Sequence, residues 1–419
     1  MRVAIVCDRC SPVAAPGRTG HGGLSEHLAG LGRGLAAAGH EVTLVARRDS
    51  PDEEAVVRPA EGLEVRHLDA GPAAPLTEDR LVTQVPVLAE ELERRWRADR
   101  PDVVHAHSWT AGLAAAAAAR ELGLPLVVTL PGVGERPVDP SVDSRGRASA
   151  EHVLVARADR VLATGEDDVF ALVRLGARRS AIHVVPYGVD TETFHPDGPT
   201  LRRGEHPRLL AVAGLDPEAG VQDVIRALRS VPDAELLVAG GPPTDDPGID
   251  PAEDRDLARL HAVAREAGVE RRVRFLGAVR RDILPALLRS ADALVHVPHR
   301  TGFGMVALEA MACGRAVVAS AVGALAETVV DQVTGVLVPP ARPDVLAHAL
   351  RALLREGAVP LAFGIAGRDR AVSRYGRDRL VGAVEQVYAE AVEARRERAA
   401  AGTAAGIGVE VEGGEAGAG

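Results

Sequence analysis

In residues 297–320, VPHRTGFGMVALEAMACGRAVVAS, an apolar strand runs into a glycine loop and then into a helix of small residues. Gly302 and Gly304 flank Phe303, and the helix is expected to begin near Met305. Backbone N–H groups at a helix start lack partners within the helix and attract anions, and glycine lets a phosphate come close to the chain. Glu309 lies one turn further on, in MVALEAMACG, where nearly every helix face is apolar. A carboxylate in such surroundings needs a partner, and a ligand hydroxyl is the expected one.

A second glycine loop lies near the N-terminus. In GRTGHGGLSEHLAGLGRGLAAAGHEVTLVAR, Gly20, Gly22 and Gly23 precede an amphipathic helix and then a strand. It is not the nicotinamide-binding fingerprint, which needs its first glycine directly after the first strand and a third at the place of Ser25. Two glycine-to-helix loops, one in each half of the chain, suit a ligand held between two domains. A diphosphate joining two groups meets that requirement.

The elements that must position these loops follow a βαβ rhythm. RVAIVC, EVTLVAR, DVVHAH, PLVVTL, RVLAT and IHVVP read as short apolar strands with helical segments between them. Such runs suit parallel sheets covered on both faces. The rhythm breaks at FHPDGPTLRRGEHP and restarts with RLLAVAG, AELLVAGG, RVRFLG, ALVHVP, AVVAS and GVLVP. The expected organisation is α/β: a doubly wound domain over 1–193, a linker over 194–207, and a second doubly wound domain over 208–376 facing the first across a cleft. A closing helix is expected over 377–398, with Leu380, Val381, Val384, Val387, Tyr388 and Val392 on its apolar face. A Gly/Ala/Glu tail over 399–419 carries too little apolar surface to fold and is expected to be disordered.

Composition excludes several classes. The chain carries 59 acidic against 49 basic residues, a net charge of −10, which argues against a nucleic-acid partner. No apolar run is long enough to span a bilayer, and MRVAIVC lacks the pattern of an export signal, so a cytoplasmic protein is expected. Cys7 and Cys10 form a CxxC, but the stretch after it does not open a helix, as a thioredoxin-type pair would. No second CxxC completes a zinc set, and no metal site is expected.

With these residues assembled, the chain resembles the retaining family-4 glycosyltransferases of GT-B fold, which use nucleotide-diphosphate sugars. The resemblance covers about residues 1–396. It rests on HGGLSEHLAGLGRGLAAAGHEVTLVAR, PDVVHAHSWTAGLAAAAAARELGLPLVVTL, VVPYGVDTETFHP, VPDAELLVAGGP and GFGMVALEAMACGRAVVASAVGALAETVVDQVTGVLVPP. It implies that Gly302, Phe303, Gly304 and Met305 hold the donor's phosphates and sugar, with Gly22 and Gly23 opposite. It implies a ribose contact at Glu309, no cofactor, and a nucleotide sugar and an acceptor as partners.

The departures from the family pattern are equally informative. The acid that engages the transferred sugar is replaced by Thr301, and the histidine expected after PLVVTL by Pro131. The two cations that grip the diphosphate fall at Gly214 and Ala219, with Asp216 and Glu218 adding negative charge beside them. After Gly22 and Gly23 the family often has a polar pair, whereas here Leu24 precedes Ser25. Arg300 is the candidate replacement cation. Losing two charged hydrogen bonds removes about 3 to 6 kcal/mol of donor binding. A helix start returns only about 0.3 to 2 kcal/mol.

Two readings follow. One is a glycosyltransferase with a rebuilt site, transferring sugar to an unidentified acceptor with retention. The other is a pseudoenzyme that kept the fold and serves as a partner subunit, a regulator or a nucleotide-sugar binder. Acceptor choice is expected to lie in first-domain loops such as 132–150, where ERPVDPSVDSRGR reads as a solvated insertion.

Overall fold

The computed structural model describes residues 1–13, 22–133, 143–242, 254–300, 304–355 and 357–407, and in it the apolar runs assemble into two sheets. The first sheet comprises β1 (Arg2–Cys7), β2 (Glu41–Arg47), β3 (Val56–Ala60), β4 (Leu63–Leu68), β5 (Val103–His107), β6 (Leu126–Thr129), β7 (Arg160–Ala163) and β8 (Ile182–Val184). Their order is β3-β4-β2-β1-β5-β6-β7-β8, and only the β3/β4 pair is antiparallel. The second sheet comprises β9 (Arg208–Val212), β10 (Glu235–Ala239), β11 (Val273–Gly277), β12 (Ala293–His296), β13 (Ala316–Ser320) and β14 (Gly335–Val338). It is parallel throughout, in the order β11-β10-β9-β12-β13-β14.

Helices cover both sheets. The first domain carries α1 (Gly22–Ala37), α2 (Glu78–Ala98), α3 (Trp109–Leu122), α4 (Ser144–Arg157) and α5 (Glu166–Arg174). The second carries α6 (Val221–Leu228), α7 (Arg255–Glu266), α8 (Leu284–Arg289), α9 (Met305–Ala312), α10 (Leu325–Thr328), α11 (Pro343–Arg355) and α12 (Ala358–Tyr375). Strand order reverses between β1 and β5 in one sheet and between β9 and β12 in the other, and ligands of doubly wound domains bind beyond the carboxyl ends at such points. The two carboxyl edges face each other. Glu327 at α10 accepts a 2.7 Å hydrogen bond from the Glu166 amide at the start of α5, and a Cβ on Gly23 would lie 3.5 Å from Met305 Cγ.

The chain crosses between domains twice, and the crossings lie side by side. The Val189 amide donates to the Tyr375 carbonyl at 2.7 Å, and Arg377 pairs with Asp190 at 2.5 Å. The expected linker is not a free tether. Phe194 is fully buried in the second domain's core, and Arg289 binds the carbonyls of His195 and Pro199.

The closing helix, α13 (Arg377–Ile407), returns to the first domain, where Leu380, Val381, Val384, Val387 and Tyr388 are buried against α1 and the sheet. Gly34 permits this close crossing, since a Cβ there would sit 2.4 Å from Val381 Cγ2. The helix runs nine residues past its expected end at Arg398. Ala399, Ala400, Ala401, Ala404 and Ala405 lie in that extension, and alanine is the strongest helix former. Tail residues 408–419 fall outside the described residues. No helix among the described residues is long and apolar enough to cross a membrane.

Candidate functional site

The second-domain half of the cleft is built around the start of α9. Gly304 caps the helix with φ 71°, and a Cβ there would lie 2.4 Å from Leu325 Cδ2, so both backbone and packing require glycine. Thr301, Gly302 and Phe303 lie outside the described residues. Gly22 opens α1 in the first domain, and the next residue, Gly23, stands against Met305. The starts of α1 and α9 therefore meet across the cleft.

Glu309 is 2% exposed, and its partner is a cation. Arg281 Nη1 lies 2.7 Å from Glu309 Oε1, while Arg281 Nε reaches Glu26 Oε2 on α1 at 3.2 Å. The Arg281 guanidinium also lies 4.5 Å from the Phe194 ring centroid, a cation–π contact. Burial pushes the Glu309 carboxyl up, and Arg281 opposes that shift. One arginine thus ties a first-domain carboxylate to the buried carboxylate of the second. Nothing in VRRDIL distinguishes Arg281 from its neighbour, so the sequence offers no signal for it.

The loop after β9 carries the two positions where cations were expected. Asp216 accepts from the amides of Glu218 at 3.0 Å and Ala219 at 3.2 Å, and a 3-10 turn forms over Pro217–Ala219. These N–H groups would otherwise be available to an anion, and here a carboxylate of the chain takes them. Gly214 is exposed at the start of this loop. Gly220 has φ 75°, and a Cβ there would fall 1.9 Å from the Val297 carbonyl oxygen, which holds the loop against the strand end of β12. Arg300 stands beside this loop, with Nε 3.3 Å from Glu218 Oε2. The candidate replacement cation is therefore engaged by one of the two acidic residues expected to add negative charge where the diphosphate docks.

The first-domain half contains groups that sequence reasoning did not single out. Asp8, just past β1, is buried and accepts from Ser108 Oγ at 2.8 Å, and burial pushes its carboxyl up. Ser108 adopts φ 104° and caps α3 by accepting from the Ala111 amide. His27 stacks on Tyr187 with centroids 3.8 Å apart, and His105 and His107 lie 4.1 Å apart. Burial pushes all three imidazoles down, His107 to about 3, and neither His107 ring nitrogen has a hydrogen-bond partner among the described residues. Pro131 is half-buried in the turn after β6. Of the expected solvated insertion, residues 134–142 lie outside the described residues, but Arg147 is buried on α4. Cys7 and Cys10 are free thiols 3.6 Å apart. Among the described residues no group of three or more His, Cys, Asp or Glu is placed to hold a metal ion.

Two Rossmann-like domains whose strand ends and glycine-capped helices face each other define the GT-B architecture. Residues 22–188 match the glycosyl transferase 4-like domain model, and residues 197–370 match the model for glycosyl transferases group 1. The chain is 34% identical to a D-inositol 3-phosphate glycosyltransferase of Xylanimonas cellulosilytica, covering 95% of this chain and 98% of the relative. It is also 34% identical to one of Mycolicibacterium gilvum, with 89% and 86% covered. Among solved structures, sucrose-phosphate synthase of Thermosynechococcus elongatus superposes with a TM-score of 0.84 at 25% identity, covering 93% of this chain and 98% of the other. Anabaena HepE in complex with UDP and glucose gives 0.73 at 19% identity, covering 93% and 99%. This chain belongs to the group 1 glycosyltransferases.

Proposed function

We propose that the chain is a retaining glycosyltransferase that takes a sugar from a nucleoside-diphosphate sugar and passes it to an acceptor hydroxyl. The observation that carries this reading is Glu309. It is a buried carboxylate, one turn inside a glycine-capped helix, turned toward the opposite domain through Arg281. Arg281 engages Oε1, and a ribose hydroxyl is a ligand group suited to the other carboxylate oxygen, while the helix start suits the adjoining diphosphate.

In the reaction, the bond between the anomeric carbon and the diphosphate oxygen breaks. A bond to the acceptor oxygen forms on the same face, and the acceptor proton passes to the departing diphosphate. Stabilising the charge on that leaving group is the main electrostatic task, and the α9 start and Arg300 are the groups assigned to it. Asp216, already bound to its loop amides, makes this half of the site less favourable to an anion. We place the protein in the cytoplasm, acting on soluble donor.

The same Asp216 contacts, together with Pro131, favour a second reading: nucleotide-sugar binding without transfer. The two readings part in one experiment. A panel of uridine-, guanosine- and adenosine-diphosphate sugars is incubated with a polyol and sugar acceptor library, and products are read by mass spectrometry and by the proton coupling at the anomeric carbon. A product with the donor's anomeric configuration is expected. An inverted product removes the retaining assignment, and donor binding without any product or nucleotide release leaves the binding-only reading standing.

A further inference from the structure

We infer that the acceptor is an uncharged polyol rather than a phosphorylated one. This rests on the glycosyltransferase reading above and deepens it to the acceptor's chemical class. The relevant residues lie at the carboxyl edge of the first sheet, which faces the second domain. Arg9 follows β1, Glu78 opens α2, Trp109 opens α3, and Arg147 and Glu151 sit one turn apart on α4.

These groups satisfy one another. Glu78 accepts from Trp109 Nε1 at 2.5 Å and pairs with Arg9 Nη2 at 3.2 Å and Arg147 Nη1 at 3.4 Å. Arg147 Nε binds Glu151 Oε1 at 2.8 Å, and Nη2 donates to the Gly132 carbonyl at 3.0 Å, one residue beyond Pro131. The side chains of Glu78, Arg147 and Glu151 are 9%, 10% and 3% exposed. Two guanidinium groups face two carboxylates, so the cluster carries no formal net charge. Arg47, the other buried arginine of this edge, donates to the carbonyls of Arg48, Pro72 and Ala74.

A phosphate monoester near neutral pH carries nearly two negative charges and needs open, uncompensated donors. At this edge Arg147 spends all three of its nitrogens and Arg47 both terminal nitrogens within the protein, and Glu78 would stand as a like charge beside the phosphate. Hydroxyl groups impose no such conflict. The chain therefore departs here from the phosphorylated acceptor that its relatives' names specify.

The test is calorimetric binding of D-myo-inositol 3-phosphate and of myo-inositol to the full chain, with Glu78→Gln and Glu151→Gln beside the wild type. Each substitution removes one compensating charge and keeps the shape. The wild type is expected to bind the phosphate more weakly than 1 mM, and at least one variant is expected to gain tenfold or more for the phosphate without gaining for inositol. Wild-type binding of the phosphate below 1 mM, or equal phosphate affinity in the wild type and both variants, overturns the inference. The wild-type measurement decides even if a variant fails to fold. UDP binding by the same protein reads the donor site separately, so loss of the transferase reading is distinguishable from loss of this one.

Discussion

Replacing Arg281 with methionine removes the cation that joins Glu309 to Glu26 while keeping much of the stem that packs near Phe194. Removing one partner of a buried ion pair costs about 3 to 5 kcal/mol, because the remaining charge is stranded. The Arg281 side chain is 33% exposed and water reaches part of the pair, so the expected loss is smaller, about 2 kcal/mol at pH 8. The pH dependence gives the sharper signature. Burial already raises the Glu309 carboxyl above its ordinary range, and without Arg281 it rises further. An acid whose folded pKa is raised favours the folded state at low pH and penalises it as pH climbs through the raised value. The destabilisation should therefore be larger at pH 8 than at pH 5, because the stranded Glu309 carboxyl takes up a proton more readily as pH falls. For a domain of this size about 2 kcal/mol corresponds to roughly 4 to 8 °C in Tm. Differential scanning calorimetry at the two pH values, with Arg281→Met/Glu309→Gln as the rescue, checks it. An equal loss at both pH values, or no recovery in the double variant, would refute the assignment of a buried charge stranded by the substitution.

The remaining expectations address the loop, the helix crossing and the histidines. Asp216→Ser keeps a capping oxygen and removes a charge, and calorimetry at low salt should show UDP binding tightened about three- to tenfold, on the order of 1 kcal/mol. Gly34→Ala should lower stability by about 1 to 3 kcal/mol through its clash with Val381, and the Tm should recover when Val381→Ala is added. Because His27, His105 and His107 have depressed folded pKa values, their contribution is complete above the unfolded value near 6.5 and is lost as pH falls toward the folded values. Urea titrations between pH 6.5 and 4 should show stability falling, and His107→Leu should lessen that slope by about 1.4 kcal/mol per pH unit.

All twelve strands read from apolar runs are present, because a parallel sheet covered on both faces leaves continuous Val, Ile and Leu segments in the sequence. The β3/β4 hairpin was not read. Its edge strand VVRPA contains a proline and is largely exposed, so it lacks the apolar run of its neighbours, although Leu63 to Arg66 alternates buried and half-buried residues. The two glycine-led helix starts, at Gly22 and Gly304, were legible because glycine at a helix start carries a local reason. Ion pairs between distant segments carry none. Arg281 and Glu309 are 28 positions apart and Glu78 and Arg147 are 69 apart, and in a chain with 49 arginines no spacing selects the pairs that form. The need of Glu309 for a partner was legible, but the identity of that partner required the fold. Asp216 shows the same division: its negative charge was evident, whereas its capture of the loop amides depends on the turn over Pro217–Ala219.

The central claim is that the cleft binds a nucleoside-diphosphate sugar through the α9 start and Glu309. Its most direct test is calorimetric titration of wild type and Glu309→Ala with uridine, guanosine and adenosine diphosphates and their sugars at low salt. Thermal stabilisation of about 2.7 kcal/mol at 100 times the dissociation constant serves as a second readout. The account expects selective binding of one nucleotide sugar by the wild type and at least a tenfold loss in Glu309→Ala, the effect of one charged hydrogen bond. No binding at millimolar ligand, or equal affinity in the two proteins, would contradict it.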